Sequence, residues 1–283
     1  MIPVAASIAL LLIPYFGFGM GLNRAVSRRL RSPAALLSTP ALLAAPYLVS
    51  SIPRGEFRWS LFAGMLAISV GISAILYGAT AQKPAWRDWL ALAAVGVLGK
   101  LHWLNAAWPV AGLNGVPKLF LVDVTLYAYL VVRPLEDAGY CWRPRASDAS
   151  AGLREFFYFA PLALPFGLLT GFLHAHAGSP IRFAGAWLLT LFLVAMPEEL
   201  LFRGLLLNLL ERRIGTRRAL WISALIFGAA HFHREGRFFD WQYVTLAIAA
   251  GLFYGRAWLS RRRLLASSIT HSTVDAVWSV WLR

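Results

Sequence analysis

The sequence predicts an all-α polytopic membrane protein, a transmembrane helical bundle of about eight to ten spans. Of its 283 residues, 59% are hydrophobic and only 14% are charged, with a mean hydropathy of +0.61. Soluble domains carry about 25% charged residues. The 12 Trp, 18 Phe and 9 Tyr exclude a disordered chain, and the single cysteine, Cys141, excludes a disulfide scaffold.

Ten apolar runs supply the predicted spans. A span needs about 20 mostly apolar residues, because lipid offers no hydrogen-bond partner to an exposed backbone N–H or C=O group. The runs lie near residues 2–22, 34–53, 59–79, 89–104, 118–132, 156–174, 183–210, 219–236, 241–257 and 264–282. The fourth and fifth runs are short, so the predicted number of spans ranges from eight to ten.

Basic residues set the expected orientation of these spans. A cluster of arginines between residues 24 and 31 follows the first run, which is the reverse of a secretory signal and indicates a retained span. The positive-inside rule then places this cluster in the cytoplasm and the N-terminus outside. Threading ten spans puts 18 of the 27 Lys and Arg residues inside and seven outside. We therefore expect a multi-pass protein of the cell membrane with cytoplasmic basic loops.

The formal net charge of +14 would also suit a nucleic-acid-binding protein. The basic residues, however, lie in short clusters between apolar runs and not in one stripe interleaved with aromatic residues. We expect the lipid bilayer to be the partner of this chain, and no nucleic acid. The sequence leaves the oligomeric state open.

A long polar stretch, residues 133–155, divides the sequence. It predicts an N-terminal multi-span membrane region of unknown role at residues 1–150 and a C-terminal region at residues 151–283. Within the first region, Lys100, His102 and Asp123 lie inside spans. We expect these three to pair with one another in preference to forming a second site, because a lone ionisable group at this depth is unfavourable.

Ionisable residues inside the C-terminal spans indicate a functional site, since a charge at the bilayer centre costs at least a few kcal/mol. They form three motifs: Glu198, Glu199 and Arg203; Phe227 and His231; His271 and Asp275. At about 1.5 Å per residue, the ionisable groups of the three helices lie about 12 to 21 Å from the nearest cytoplasmic basic residue. We expect three helices to bring them to one polar site within the membrane.

Helical spacing separates the two neighbouring glutamates. Residues four apart share a helix face, so Glu199 is expected to pair with Arg203. Glu198 points about 100° away and has no helical partner. Pro197 removes one backbone hydrogen bond just before the glutamates and is expected to kink the span.

Such a site supports general-base hydrolysis. A carboxylate kept from an ion-pair partner, with a histidine in reach, can hold and deprotonate a water. A second histidine can donate a hydrogen bond to the oxyanion that forms when this water attacks an amide carbonyl. No serine or cysteine nucleophile is evident in the sequence.

The ordered set of motifs resembles the CPBP (CAAX protease and bacteriocin-processing, or Abi) family of intramembrane glutamic proteases, which includes the type II CAAX prenyl endopeptidases. The family pattern is Glu-Glu-x-x-x-Arg, then Phe-x-x-x-His, then His-x-x-x-Asn or Asp, and the C-terminal region follows it in order. The resemblance implies an endopeptidase core at residues 151–283. It also implies a peptide or membrane-protein substrate and no cofactor.

Carried over residue by residue, the resemblance implies that Glu198 and His231 activate the water. His271 and Asp275 would stabilise the oxyanion. Phe227 is interpreted as packing that shapes the pocket.

In the same comparison, Glu199 with Arg203 would hold the helix. Asp275 stands where the pattern also allows Asn, and an ionised Asp accepts hydrogen bonds without donating them. Asp275 is therefore either protonated in its apolar setting or orients His271.

Three alternatives stay open. A zinc-dependent intramembrane protease is one, because Glu198, His231 and His271 could together hold a metal, although no His-Glu-x-x-His helix is present. A transporter is the second, since ionisable residues at mid-depth and a kinked helix suit an ion pathway, although no inverted repeat is apparent. A catalytically silent scaffold is the third.

Overall fold

The computed structural model describes residues 2–79, 83–109, 115–232 and 238–282. These residues form helices and connecting turns with no strand among them, which confirms the all-α class. The helices are α1 (Ile2–Gly19), α2 (Leu22–Arg29), α3 (Pro33–Ser38), α4 (Ala45–Ser51), α5 (Trp59–Leu76), α6 (Trp86–Lys100), α7 (Val116–Tyr127), α8 (Ala146–Leu169), α9 (Pro180–Thr190), α10 (Met196–Glu199), α11 (Asn208–Ile214), α12 (Thr216–Ala229), α13 (Trp241–Arg261) and α14 (Leu264–Trp281). Short 3₁₀ segments cover Thr39–Ala44, Ile52–Arg54 and His102–Ala107, and π-helical segments cover Ala128–Val132, Leu191–Ala195 and Leu200–Leu207.

Several helices are apolar enough to cross a membrane, as the composition predicts. Among the described residues, four stretches have the length and composition of spans: Ile2–Gly19, Pro33–Arg54, Trp59–Leu76 and Pro180–Ile214. The short fourth and fifth runs correspond to α6, of 15 residues, and α7, of 12 residues. The run predicted at 219–236 corresponds to α12, which ends at Ala229, and part of that run lies outside the described residues. The count of eight to ten spans and the orientation of the termini stay predictions.

The chain divides into two compact units, Met1–Glu136 and Asp137–Arg283. A division at residue 150 would fall within the first two turns of α8. The turn before α8 belongs to the second unit, because the carbonyl of Gly139 accepts a hydrogen bond from the backbone N–H of Leu264 at 2.9 Å.

The first unit packs α1, α4, α5, α6 and α7 around buried polar contacts. Ser7 on α1 donates to the carbonyl of Pro46 at 2.6 Å and accepts from the indole N–H of Trp108 at 2.9 Å. Asp88 and Arg133 form an ion pair from which solvent is fully excluded. Ten-span threading counts Arg133 among the cytoplasmic residues. Its side chain is buried against Asp88 in the turn after Ala128–Val132, which the sequence does not predict, and the side of the membrane on which it lies stays a prediction.

The second unit packs α8, α12, α13 and α14 with the long helical stretch Pro180–Ile214. Glycines let these helices approach closely: a Cβ added at Gly228 on α12 would lie 2.2 Å from the side chain of Ile248 on α13. On α14, Thr270 donates to the carbonyl of Gly152 on α8 at 2.9 Å. These contacts fix the helices that carry the predicted site residues.

Candidate active site

The glutamates lie between two segments in which the helix winds more widely. The stretch Pro180–Ile214 is continuous, and the π-helical segments Leu191–Ala195 and Leu200–Leu207 flank the Met196–Glu199 turn. Pro197 has no N–H to donate, so the backbone near it adopts this wider winding where the sequence predicts a kink. Such π-helical segments occur frequently at functional sites.

The neighbouring glutamates have different surroundings. Glu199 is fully buried and accepts from Arg203 Nη1 at 3.0 Å. Arg203 also donates to the carbonyl of Gly251 at 3.0 Å, and its guanidinium lies 4.4 Å from the ring centre of Phe227. The Glu198 side chain is 26% exposed, and its buried Oε2 has no hydrogen-bond partner. Glu199 and Arg203 thus form a buried ion pair, whereas Glu198 faces a cavity.

His231 lies in the turn just after α12. Its Nδ1 is 2.7 Å from the carbonyl oxygen of Phe227, four residues earlier. Because a carbonyl only accepts, Nδ1 carries the hydrogen and Nε2 of the neutral ring is an acceptor. His231 Nε2 lies 3.9 Å from Oε2 of Glu198. The ring of Tyr243 packs edge-on against the imidazole, with centroids 5.3 Å apart.

His271 is buried on α14 and held from two sides. Its Nδ1 lies 2.9 Å from Oε1 of Glu199, so Nδ1 donates to this carboxylate. Its Nε2 lies 4.0 Å from Glu198 Oε2 and 3.5 Å from Asp275 Oδ2. The ring of Tyr254 stacks on the imidazole, with centroids 4.6 Å apart and planes at 17°. Glu199 therefore contacts a second site residue besides Arg203, which the sequence does not predict.

These side chains face one cavity of about 180 Å³ in the second unit. Glu198, His231, His271 and Asp275 line it, and Phe227 lies at its wall. The rest of the lining is largely apolar and includes Phe159, Ala163, Leu164, Phe172, Leu246 and Trp278. The structure thus brings the four predicted catalytic residues together, with the Glu199–Arg203 pair behind them.

The carboxylates and histidines of the site are residue types that could also bind a metal ion. Within the described ranges, no group of three His, Cys, Asp or Glu side chains has an arrangement that could hold a metal ion. Metal independence stays a prediction.

Two tyrosines of α13 belong to the site and are not among the residues predicted from the sequence. Tyr243 and Tyr254 are eleven residues apart, or about three helical turns, so they share a face. Each contacts one histidine ring, Tyr243 that of His231 and Tyr254 that of His271. Hydroxyl-bearing aromatic residues repeated on one face of an apolar run are the signal that could have identified them.

Tyr254→Ala is expected to lower the free energy of unfolding by about 3–5 kcal/mol, because it removes a buried ring. It is also expected to lower any peptide-bond hydrolysis at this site, since the His271 imidazole loses its stacking partner. Tyr254→Phe keeps the ring, so both quantities should stay near wild type. Thermal unfolding and initial cleavage rates would measure them. A Phe variant as inactive as the Ala variant would contradict positioning by the ring.

The fold and the site together define an all-α membrane protein whose second unit directs a carboxylate and two histidines into an apolar cavity. Residues 180–277 match the family model described as Type II CAAX prenyl endopeptidase Rce1-like. The match confirms the resemblance predicted from the three motifs, and the matched segment contains every site residue predicted from the sequence. No curated protein and no solved structure matches the chain.

Proposed function

We propose that the protein is a CAAX-type intramembrane endopeptidase in which Glu198 and His231 activate a water. The observation that best supports this proposal is the environment of Glu198 Oε2. This atom is buried without a hydrogen-bond partner, and Nε2 of His231 and Nε2 of His271 face it at 3.9 and 4.0 Å. Glu199 also has an unpartnered buried Oε2, but its Oε1 accepts from both Arg203 and His271, as expected of a structural carboxylate at this depth. Glu198 differs because it faces the cavity and has no such ion-pair partner to satisfy it.

The geometry suits a water that donates to both groups. Glu198 accepts through its carboxylate, and His231 accepts through Nε2 because its Nδ1–H is donated to the Phe227 carbonyl. With hydrogen bonds of about 2.8 Å, two acceptors 3.9 Å apart give an angle of about 90° at the water oxygen, near the natural H–O–H angle. A lone pair of the water then remains available to attack a carbonyl carbon.

The proposed reaction forms no covalent intermediate with the protein. The water oxygen bonds to the peptide carbonyl carbon while Glu198 accepts one of its protons. The carbonyl oxygen becomes an oxyanion, to which a doubly protonated His271 donates from Nε2. When the C–N bond breaks, Glu198 returns the proton to the leaving amine.

The cavity lining favours a substrate with an apolar group beside the scissile bond. Phe159, Phe172 and Trp278 offer large apolar surfaces, and burial contributes about 25 cal/mol per Å² of apolar area. We propose a peptide or membrane-protein segment as the substrate. The absence of a nucleic-acid partner stays a prediction.

The experiment compares processed peptides in native membranes that contain the wild-type protein or Glu198→Ala. The expected result is a set of cleavage products present only with the wild type and insensitive to a strong chelator. Loss of cleavage with the chelator would support a zinc protease. If no product depended on Glu198, the proposal would be wrong and a transporter or scaffold would explain the protein better.

Asp275→Asn is expected to retain cleavage within about tenfold of wild type. Glu199 already fixes His271 through Nδ1, so Asp275 is not needed to orient the ring, and an Asn amide can donate to the oxyanion. The measurement is kcat/KM on a substrate identified as above, with Asp275→Ala as the variant that lacks a donor. An inactive Asn variant of normal stability would instead assign Asp275 to orienting His271.

A further inference from the structure

The first unit contains a buried carboxyl group that the proposed reaction does not use. Asp123 on α7 is fully buried, and neither of its side-chain oxygens has a hydrogen-bond partner. The sequence predicts pairing with Lys100 and His102. Lys100 does not hydrogen-bond to Asp123, and the side chain of His102 lies outside the described part of the chain.

Most elements packed on α7 bring no charge towards Asp123. The elements are α1, α5, α6 and the 3₁₀ segments Thr39–Ala44 and His102–Ala107, and α7 continues into Ala128–Val132. Of these, α1, α5 and Thr39–Ala44 contain no charged residue, and the titratable group of α1 is that of Tyr15.

The residues one turn away on α7 itself do not compensate the charge either. Leu119, Phe120 and Leu126 are buried and apolar. The hydroxyl of Tyr127 donates to the carbonyl of Leu36 at 2.7 Å.

The charged groups of α6 are engaged in other contacts. Asp88 pairs with Arg133, whose Nη2 lies 3.4 Å from its Oδ2. Arg87 donates to the carbonyl of Tyr77. Lys100 takes part in an interaction, and it does not hydrogen-bond to either oxygen of Asp123.

Two further titratable side chains, those of Tyr129 and Lys118, belong to α7 or to the segment that continues it, and neither hydrogen-bonds to Asp123. Tyr129 in the π-helical segment donates to the carbonyl of Asp88 at 2.6 Å. Lys118 on α7 is exposed. No described cation therefore balances a charge on Asp123.

We infer that Asp123 is a proton-binding site of the first unit. An isolated carboxylate among apolar helices is far more costly than a neutral carboxylic acid, so the group binds a proton in place of a cationic partner. Asp88, in the same unit and equally buried, has an arginine partner and is the matched carboxyl group for comparison. The site is independent of the proposed peptidase activity of the second unit.

Dicyclohexylcarbodiimide tests this inference, because it is apolar and adds to a carboxylic acid but not to a carboxylate. The acid oxygen bonds to the carbodiimide carbon, and the acid proton moves to a carbodiimide nitrogen. The O-acylisourea then rearranges to a stable N-acylurea with no atom lost. The full chain would be treated near neutral pH in phosphatidylethanolamine and phosphatidylglycerol vesicles, and digested for mass spectrometry.

The expected result is at least about tenfold more adduct on Asp123 than on Asp88, since only the former presents an uncompensated acid among apolar helices. No adduct on Asp123, or equal adducts on both residues, would overturn the inference. Asp123→Asn removes the reactive acid, so it should abolish the adduct assigned to this position.

Thermal unfolding of Asp123→Asn provides a second measurement. Because the folded state binds a proton that the unfolded state releases, wild-type stability should fall as pH rises, while that of the Asn variant falls less. The thermal unfolding midpoints of the wild type and of Asp123→Asn should become equal at acidic pH. Asp88→Asn should be less stable than wild type throughout, because it leaves Arg133 unpaired. An Asp123→Asn variant less stable than wild type at every pH would contradict a proton site.

Discussion

Glu198→Gln is expected to abolish peptide-bond cleavage and to leave the protein as stable as the wild type. The amide keeps the size of the side chain and cannot accept a proton from the attacking water, so we expect kcat to fall by at least about 10³-fold. Stability should persist because Oε2 of Glu198 has no hydrogen-bond partner to lose. The measurements are cleavage of a substrate identified in native membranes and thermal unfolding of the purified protein.

The adjacent glutamate provides the matched control. Glu199→Gln changes the same chemical group one residue away, but Glu199 is fully buried and accepts from both Arg203 and His271. We expect this variant to lose stability as well as activity. If Glu198→Gln retained more than about one tenth of wild-type activity, the general-base role would be wrong. A Glu198→Gln variant as unstable as Glu199→Gln would show that Glu198 is also structural.

The separation of the two glutamates could be predicted because it depends on helical periodicity alone. Residues four apart share a face of an α-helix, and they stay close to one face in the π-helical winding found here, so the Glu199–Arg203 pair follows from spacing along one helical stretch. The contact of Glu199 with His271 could not be predicted this way, because the two residues are 72 positions apart and meet only when α14 packs against the glutamate helix.

The burial of Arg133 also depends on a contact between residues far apart in the sequence, so it could not be predicted. Its position beside a polar stretch favours a cytoplasmic loop, and the sequence alone does not reveal that Asp88, 45 residues earlier, faces the same interior. The end of a helical run is set by such partners as much as by hydropathy. The span predicted at 183–210 is part of a longer helical stretch, Pro180–Ile214.

The two tyrosines on α13 could not be identified as site residues from sequence motifs. Tyr243 and Tyr254 lie in an apolar run without a charged motif, so motif-based reasoning assigns them to the membrane or to packing. Their contacts with the imidazoles of His231 and His271 arise from the close approach of α13 to its neighbours. A motif therefore predicts the reacting groups better than the residues that hold them in place.

Arg203→Met is expected to lower the free energy of unfolding by about 3–5 kcal/mol, because it leaves the buried carboxylate of Glu199 without its cationic partner. The variant also removes the hydrogen bond to Gly251 and the guanidinium that lies against the Phe227 ring. Thermal or denaturant unfolding in detergent would measure the loss.

The double variant Glu199→Met, Arg203→Met distinguishes an unpaired charge from lost packing. Replacing both members of a buried ion pair with apolar side chains is often neutral, so much of the stability lost in Arg203→Met should return. Activity should not return, because Nδ1 of His271 loses the carboxylate that accepts its hydrogen. A double variant no more stable than Arg203→Met would assign the loss to packing around Phe227. Recovery of cleavage would show that His271 does not need Glu199 to orient it.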